Sequence, residues 1–333
     1  MHIKKSLINL KNRLSKTKYV KLILKFYKVD TVVICFHRVL DDNNFINQKR
    51  PDNNLVVSKS IFEKQIQYIT KNFKPITIGN IFNDNSLTEK KIVITFDDGY
   101  KDNIVNALPI LKKYNCPAII YVTTGFLDNN NTAWWLKVWD IILNCKEIYF
   151  QKKKINLNNI VEKKKAYLFF TKKFYNMNIR DINKSIDEIN HLKTVFDSNK
   201  TDDFISLSDL KKLNLDELID IGCHTHMHQN LKILTQSDLY NEISTSKNIL
   251  EESLNKKIKH FSIPFGTKKT YSSKVIKTLD KFGFETIVTT NHDIFNKKKK
   301  LIPRIGIGNE DLDEKLHSKL IGFDSLINKL LKR

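Results

Sequence analysis

Seven short apolar runs punctuate the chain, each ending in small or polar residues: Thr31–Phe36, Lys91–Phe96, Pro117–Val122, Leu218–Cys223, Ile258–Ile263, Phe284–Thr289 and Leu301–Ile307. Their hydrophobicity is continuous rather than alternating, the mark of strands buried on both faces. Helix-like segments separate them, which implies parallel pairing. The pattern predicts an α/β fold, either a barrel or a wound sheet, with its chemistry at the C-terminal ends of the strands. Between 128 and 204 the pattern changes. No Gly or Pro occurs from Asp128 to Lys200, and Ile182, Ile186, Ile189 and Phe196 fall at helical spacing. This stretch is too long for a plain loop and predicts a mostly helical insertion. Ile3, Leu7, Leu10 and Leu14 share one face of a predicted amphipathic helix over 1–28, and residues 311–333 predict a C-terminal helix.

Charge changes the picture only in part. Lys and Arg exceed Asp and Glu by 57 to 36, a net +21 on 333 residues. Residues 1–28 hold nine basic residues and no acid, and residues 146–200 hold 13 against 6, so most of the excess lies outside the predicted strands. Only six residues are Arg, which argues against a nucleic-acid partner, because Arg forks carry most specific base contacts. A basic amphipathic segment at 1–28 suits either an anionic membrane surface or a helix capping the domain. Lysines interrupt the N-terminal region too often for a secretory h-region, and there is no apolar stretch of about 18 residues. The expected location is cytoplasmic, peripheral on the inner membrane face. Cys35, Cys116, Cys145 and Cys223 form no C-x-x-C pair and read as reduced thiols.

Two polar clusters stand at strand ends. In Gly222-Cys223-His224-Thr225-His226-Met227-His228, a helical turn would bring His224 and His228 to one side, the spacing that lets two imidazoles reach one divalent metal. In Thr95-Phe96-Asp97-Asp98-Gly99-Tyr100, continued extended geometry would aim the two carboxylates at different partners, one at a metal and one at a proton. One carboxylate and two histidines leave positions open for water and substrate, the arrangement of a catalytic metal site suited to amide or ester hydrolysis.

These two segments resemble the first and second motifs of NodB-homology polysaccharide deacetylases, carbohydrate esterase family 4. Phe261-Ser262-Ile263-Pro264-Phe265-Gly266 is similar to the third motif, and Phe36-His37-Arg38-Val39 lies on the first strand. The likeness covers roughly residues 30–310. It implies a distorted (β/α) barrel that removes N-acetyl, or sometimes O-acetyl, groups from a surface-polysaccharide or lipid-linked sugar. It further implies that Asp98, His224 and His228 hold a divalent metal, with zinc the default, and that Asp97 is the general base. A backbone N–H near Pro264–Gly266 would stabilise the oxyanion. Two departures stand out: Ser262 and Ile263 occupy the place of an Arg that orients the catalytic Asp, and no fifth-motif histidine supplies the general acid. Arg304, and His37 or His292, are candidates for these duties. Tyr100, Pro264, Phe265 and Gly266 are candidate substrate contacts. Trp134 and Trp135 are candidates for a platform under a sugar ring, while Trp139 reads as core. Two other readings stay open: a dinuclear amidohydrolase using His224 and His226, and a non-catalytic relative that grips polyanions or membranes through its lysines. Two metal ions per chain would favour the first. Intact Asp97, Asp98, His224 and His228 argue against the second.

Overall fold

The computed structural model describes residues 31–47, 51, 55–82, 89–129, 133–190, 203–291, 293, 295 and 300–323. The expected helix over 1–28, Phe196, His292 and residues 324–333 of the expected C-terminal helix lie outside them; within 311–323 a helix runs from Asp313 to Leu320.

Nine strands form one sheet: β1 Thr31–Phe36, β2 Lys74–Pro75, β3 Lys91–Phe96, β4 Ala118–Val122, β5 Ile219–Cys223, β6 His260–Ser262, β7 Thr286–Thr289, β8 Leu301–Pro303 and β9 Ile305–Gly306. Spatial order is β8-β7-β6-β5-β4-β3-β1-β9, with β2 on β3, and every pairing is parallel. The expected last run is therefore split. Its first half pairs with β7, its second half pairs with β1, and the break between them is Arg304. One chain segment thus joins the two edges of the sheet and nearly closes a barrel, as the apolar runs predict.

Strand alternation separates two cores. Val32, Ile34, Ile92, Ile94, Ile120 and Ile221 face outward into a layer shared with the surrounding helices, including Phe62 and Ile66 of helix α1 (Lys59–Asn72). The opposite faces of the same strands give Val33, Val93, Ile119, Tyr121, Val288 and Ile302, which pack with Ile76, Ile78 and Ile81 inside the barrel. One step further along each strand, toward its C-terminal end, the inward positions are Cys35, Thr95, Ser262 and Arg304. The interior becomes polar where the site begins.

The connection between β4 and β5 carries the three described helices of the insertion, α2 Trp134–Asn144, α3 Ile160–Phe174 and α4 Ile179–Ile189, besides α5 Leu207–Leu213 just before β5. It also carries an antiparallel hairpin, Glu147–Phe150 with Lys153–Asn156, which the mostly helical reading did not include. Only Ile148, Phe150 and Ile155 of the hairpin face apolar neighbours, and its lysine-rich second strand hides the alternation. These elements bury a core of their own around Trp139, Tyr167, Phe170 and Ile186. Among the described residues, no helix is long and apolar enough to cross a membrane.

Candidate active site

Asp97 follows β3 and points into the barrel mouth, where Arg304 meets it with two parallel bonds, Nη1 to Oδ1 at 2.7 Å and Nη2 to Oδ2 at 2.6 Å. Arg304 is fully buried and spends its remaining donors on Thr95 Oγ1 (3.0 Å), Ser262 Oγ (2.9 Å) and the Thr289 carbonyl (3.2 Å). All five N–H groups are used. Ser262 Oγ accepts a bond from the guanidinium of Arg304, which reaches Asp97 from the closing strand. Burial alone would raise the Asp97 carboxyl; Arg304 and then His224 outweigh it and hold it well below the usual carboxylate range. Cys35, whose thiol burial pushes far up, donates to Asp97 Oδ2 at 3.5 Å.

Asp98 has φ 75° and so leaves the extended path that would have continued the strand. Its carboxylate turns away from Asp97 toward His224 Nε2 at 3.4 Å and His228 Nε2 at 3.3 Å. The two histidines do not share a helical turn. They follow β5 in an irregular loop in which Thr225 (φ 66°) and His228 (φ 51°) are left-handed, and the His228 N–H is held by Thr225 Oγ1 at 3.1 Å. His226 points elsewhere, its Nδ1 bonded to Thr124 Oγ1 at 3.0 Å, so the structure pairs His224 with His228 and not with His226.

The trio fits a divalent ion. His224 Nδ1 faces the Ser262 carbonyl at 2.8 Å, which fixes the proton there and leaves a lone pair on Nε2. Asp98 Oδ1 is buried with no hydrogen-bond partner among the described residues. Nitrogen–oxygen separations of 3.3 and 3.4 Å are close to the edge of a tetrahedron whose ligands lie about 2.0–2.1 Å from its centre. Burial pushes His228 down to about 4 against the pull of Asp98, which keeps that imidazole neutral, as a ligand must be.

His37, just past β1, lies beside Asp97: one ligand atom each of Cys35, His37 and Asp97 falls within 4.8 Å of the others. Its carbonyl accepts from Asn103 Nδ2 at 2.8 Å, which fixes the backbone that carries the ring. Arg38 is half-buried and anchors the carboxylate loop from the other side, through Asp102 and Asp203 at 2.8 Å each and over the Tyr100 ring at 4.6 Å.

Of the four aromatic side chains expected to meet substrate, three are buried. Tyr100 accepts from Trp135 Nε1 at 3.0 Å under the Arg38 guanidinium, and Trp135 lies edge-on to His228 at 5.0 Å. Trp134 packs on Phe174. Neither Trp forms an open platform, because α2 turns only a stripe of Lys137, Asp140 and Asn144 outward and sinks its apolar faces into the insertion's core. Trp134 does line a cavity beside His228 together with Phe265, Met227 and Ile179. Phe265 (φ 59°) stacks edge-on to His228 at 4.7 Å, Pro264 is buried, and a Cβ on Gly266 (φ 61°) would strike the Thr290 amide. Glu242 of α6 (Gln236–Leu254) was not predicted. Its carboxylate accepts from the His226 and Met227 amides and from Gln229, pinning the histidine loop. A glutamate on the buried stripe of an amphipathic helix is the only sequence signal for it.

The family model described as polysaccharide deacetylase matches residues 84–287. The Bacillus subtilis protein YxkH is 37% identical over 75 residues, 21% of this chain and 27% of that protein. A poly-beta-1,6-N-acetyl-D-glucosamine N-deacetylase of Staphylococcus aureus (strain MSSA476) is 30% identical over 118 residues, 32% of this chain and 41% of that enzyme. The matches to these curated relatives thus span less than half of their length. Among solved structures, Streptococcus pyogenes deacetylase PplD in complex with acetate superposes with TM-score 0.57 at 17% identity, covering 87% of this chain and 97% of that one. IcaB from Ammonifex degensii superposes with TM-score 0.56 at 16% identity, covering 88% and 97%. The structural likenesses carry the fold, and the family match spans more than half of the sequence, including both carboxylates and all three clustered histidines. The chain belongs to the polysaccharide deacetylase family.

Proposed function

We propose that the chain hydrolyses N-acetyl groups of an N-acetylhexosamine polysaccharide, using a divalent metal held by Asp98, His224 and His228, with zinc the first ion to test. The observation that carries this reading is the divergence of two adjacent carboxylates: Asp97 is clamped by Arg304, while Asp98 faces two imidazole Nε2 atoms. The Staphylococcus aureus relative, a poly-beta-1,6-N-acetyl-D-glucosamine N-deacetylase, supports the same sugar class.

A divalent ion in this trio would acidify a water molecule and polarise the acetyl carbonyl. Asp97 accepts the proton of the attacking water; Arg304 holds both its oxygens and so fixes the carboxylate's position while keeping it ionised. His37 donates a proton to the departing amine as the carbon–nitrogen bond breaks, the duty for which a fifth-motif histidine is missing. The cavity walled by Phe265, Trp134 and Met227 beside His228 receives the acetyl methyl and excludes water from it.

Acetate release from N-acetylglucosamine oligosaccharides by the full chain, with metal content measured in parallel, tests the assignment. Asp97→Asn is expected to lower kcat by about 10²–10⁴ and to leave the metal content unchanged. Undiminished acetate release by Asp97→Asn would overturn it, as would no release from any N-acetylated saccharide by the metal-loaded protein.

A further inference from the structure

The insertion turns large apolar side chains to solvent on the side away from the barrel. Helix α3 buries Ala166, Tyr167, Phe170 and Phe174, yet Val161, Leu168 and Phe169 are 57%, 56% and 48% exposed. Val161, Lys165, Leu168 and Lys172 follow the i, i+4, i+7, i+11 spacing and form one stripe along the helix. Phe169 flanks the stripe and reaches the hairpin, its ring 6.3 Å from that of Phe150. Phe150 pairs in register with Lys153 across a Gln151–Lys152 turn, and Lys154 follows on the second strand. Between residues 146 and 174 the sequence holds nine lysines and two acids, and one of those acids, Glu147, pairs with Lys154 at 2.6 Å.

Apolar side chains ringed by lysines suit a partner with an apolar interior and an anionic skin. We propose that α3 and the hairpin dock on an anionic lipid bilayer, with Val161, Leu168 and Phe169 at the boundary between headgroups and acyl chains and the flanking lysines over the phosphates. A soluble polyanion would engage the lysines and leave the apolar stripe exposed. A second copy of the chain would set two lysine-rich faces against each other. The docking does not depend on the deacetylase reading. If both hold, the opposite face of α3 places Phe174 against Trp134, so the cavity beside His228 sits about one helix diameter, ~10 Å, behind the membrane-facing side.

Flotation of the full chain with phosphatidylcholine vesicles, and with vesicles containing about 30% phosphatidylglycerol, tests the docking. Binding is expected on the anionic vesicles only. Val161→Asp/Leu168→Asp, both at exposed positions, is expected to weaken the partition at least about tenfold with an unchanged melting temperature, and Lys165→Gln/Lys172→Gln to weaken it several-fold. Residues 1–28 carry nine basic residues of their own, so wild-type partition of the Asp variant would assign the binding elsewhere and overturn the proposal. Equal binding to both vesicle types, binding to dextran sulfate but to neither vesicle, or self-association that the Asp variant abolishes would each overturn it as well.

Discussion

Arg304→Met replaces the buried guanidinium by an apolar chain of similar reach. The wild-type side chain is fully buried, and its five N–H groups end on Asp97 Oδ1, Asp97 Oδ2, Thr95, Ser262 and the Thr289 carbonyl. Removing it strands the charge of Asp97, which is itself 2% exposed and keeps only the weak Cys35 donor among the bonds described. Stranding one partner of a buried ion pair costs about 3–5 kcal/mol. Asp97→Asn alone strands Arg304 at a similar cost, whereas the double variant strands neither. Urea denaturation of the four proteins in a double-mutant cycle is therefore expected to give a coupling of at least about 2 kcal/mol. The acidic limb of kcat/KM adds a second readout. Without Arg304 the burial that raises Asp97 loses its strongest opponent, so the base takes up its proton at higher pH and the limb moves up. Additive losses within about 0.5 kcal/mol, or an acidic limb that does not move, would refute the clamp.

His37→Gln is expected to lower kcat/KM for an N-acetylated sugar by about 10²–10⁴ but much less for an aryl acetate, whose leaving group needs no proton; equal losses on both substrates would remove His37 from the acid role. At the opposite end of the barrel, Asp220 Oδ2 meets His260 Nε2 at 3.4 Å and Oδ1 meets Lys256 at 3.2 Å. Burial would raise Asp220, but His260 and Lys256 hold it down at about 2, below its unfolded value of about 3.9. A depressed carboxylate contributes stability above its unfolded pKa and loses it as pH falls from about 4 toward 2. With the side chain 36% exposed, screening leaves about 1 kcal/mol, which Asp220→Asn should remove at neutral pH and which thermal melts across that window should show only in the wild type.

Strand positions were legible because a strand buried on both faces needs an unbroken apolar run, and six of the seven runs became single strands. The seventh was read correctly as apolar. Its interruption at Arg304 could not be seen, because the reason for it lies about two hundred residues away at Asp97. The carboxylates and histidines were found from their clustering at strand ends, but the expected local geometry was wrong at the histidines. Helical spacing suggested convergence through a turn, and the chain achieves it through left-handed Thr225 and His228. As an open sugar platform, Trp134 and Trp135 misled for a related reason. Aromatic side chains at the start of a helix serve a sugar platform and a core equally well, and only the packing of α2, α3 and α4 decides for the core.

Four of the ten described non-glycine residues with left-handed backbone lie where the chemistry does. Asp98, Thr225, His228 and Phe265 all have positive φ, a conformation that costs a residue with a Cβ of order 1 kcal/mol or more and persists only where its surroundings impose it. Each has such an imposition. Arg38, Asp102 and Asp203 tie down the loop beyond Asp98. Glu242 holds the amides between Thr225 and His228. Phe265 is followed by Gly266, whose carbonyl accepts from the Thr290 amide at 3.0 Å. Two adjacent carboxylates on a regular strand would face opposite sides of the sheet, one inside the barrel and one among the helices. The turn at Asp98 brings the second carboxylate back to the barrel mouth, so two neighbouring residues of one type take different partners in one site. The buried ion pair and the pinned loops hold that turn in place, and the conformational cost falls on the segments where the two carboxylates must differ.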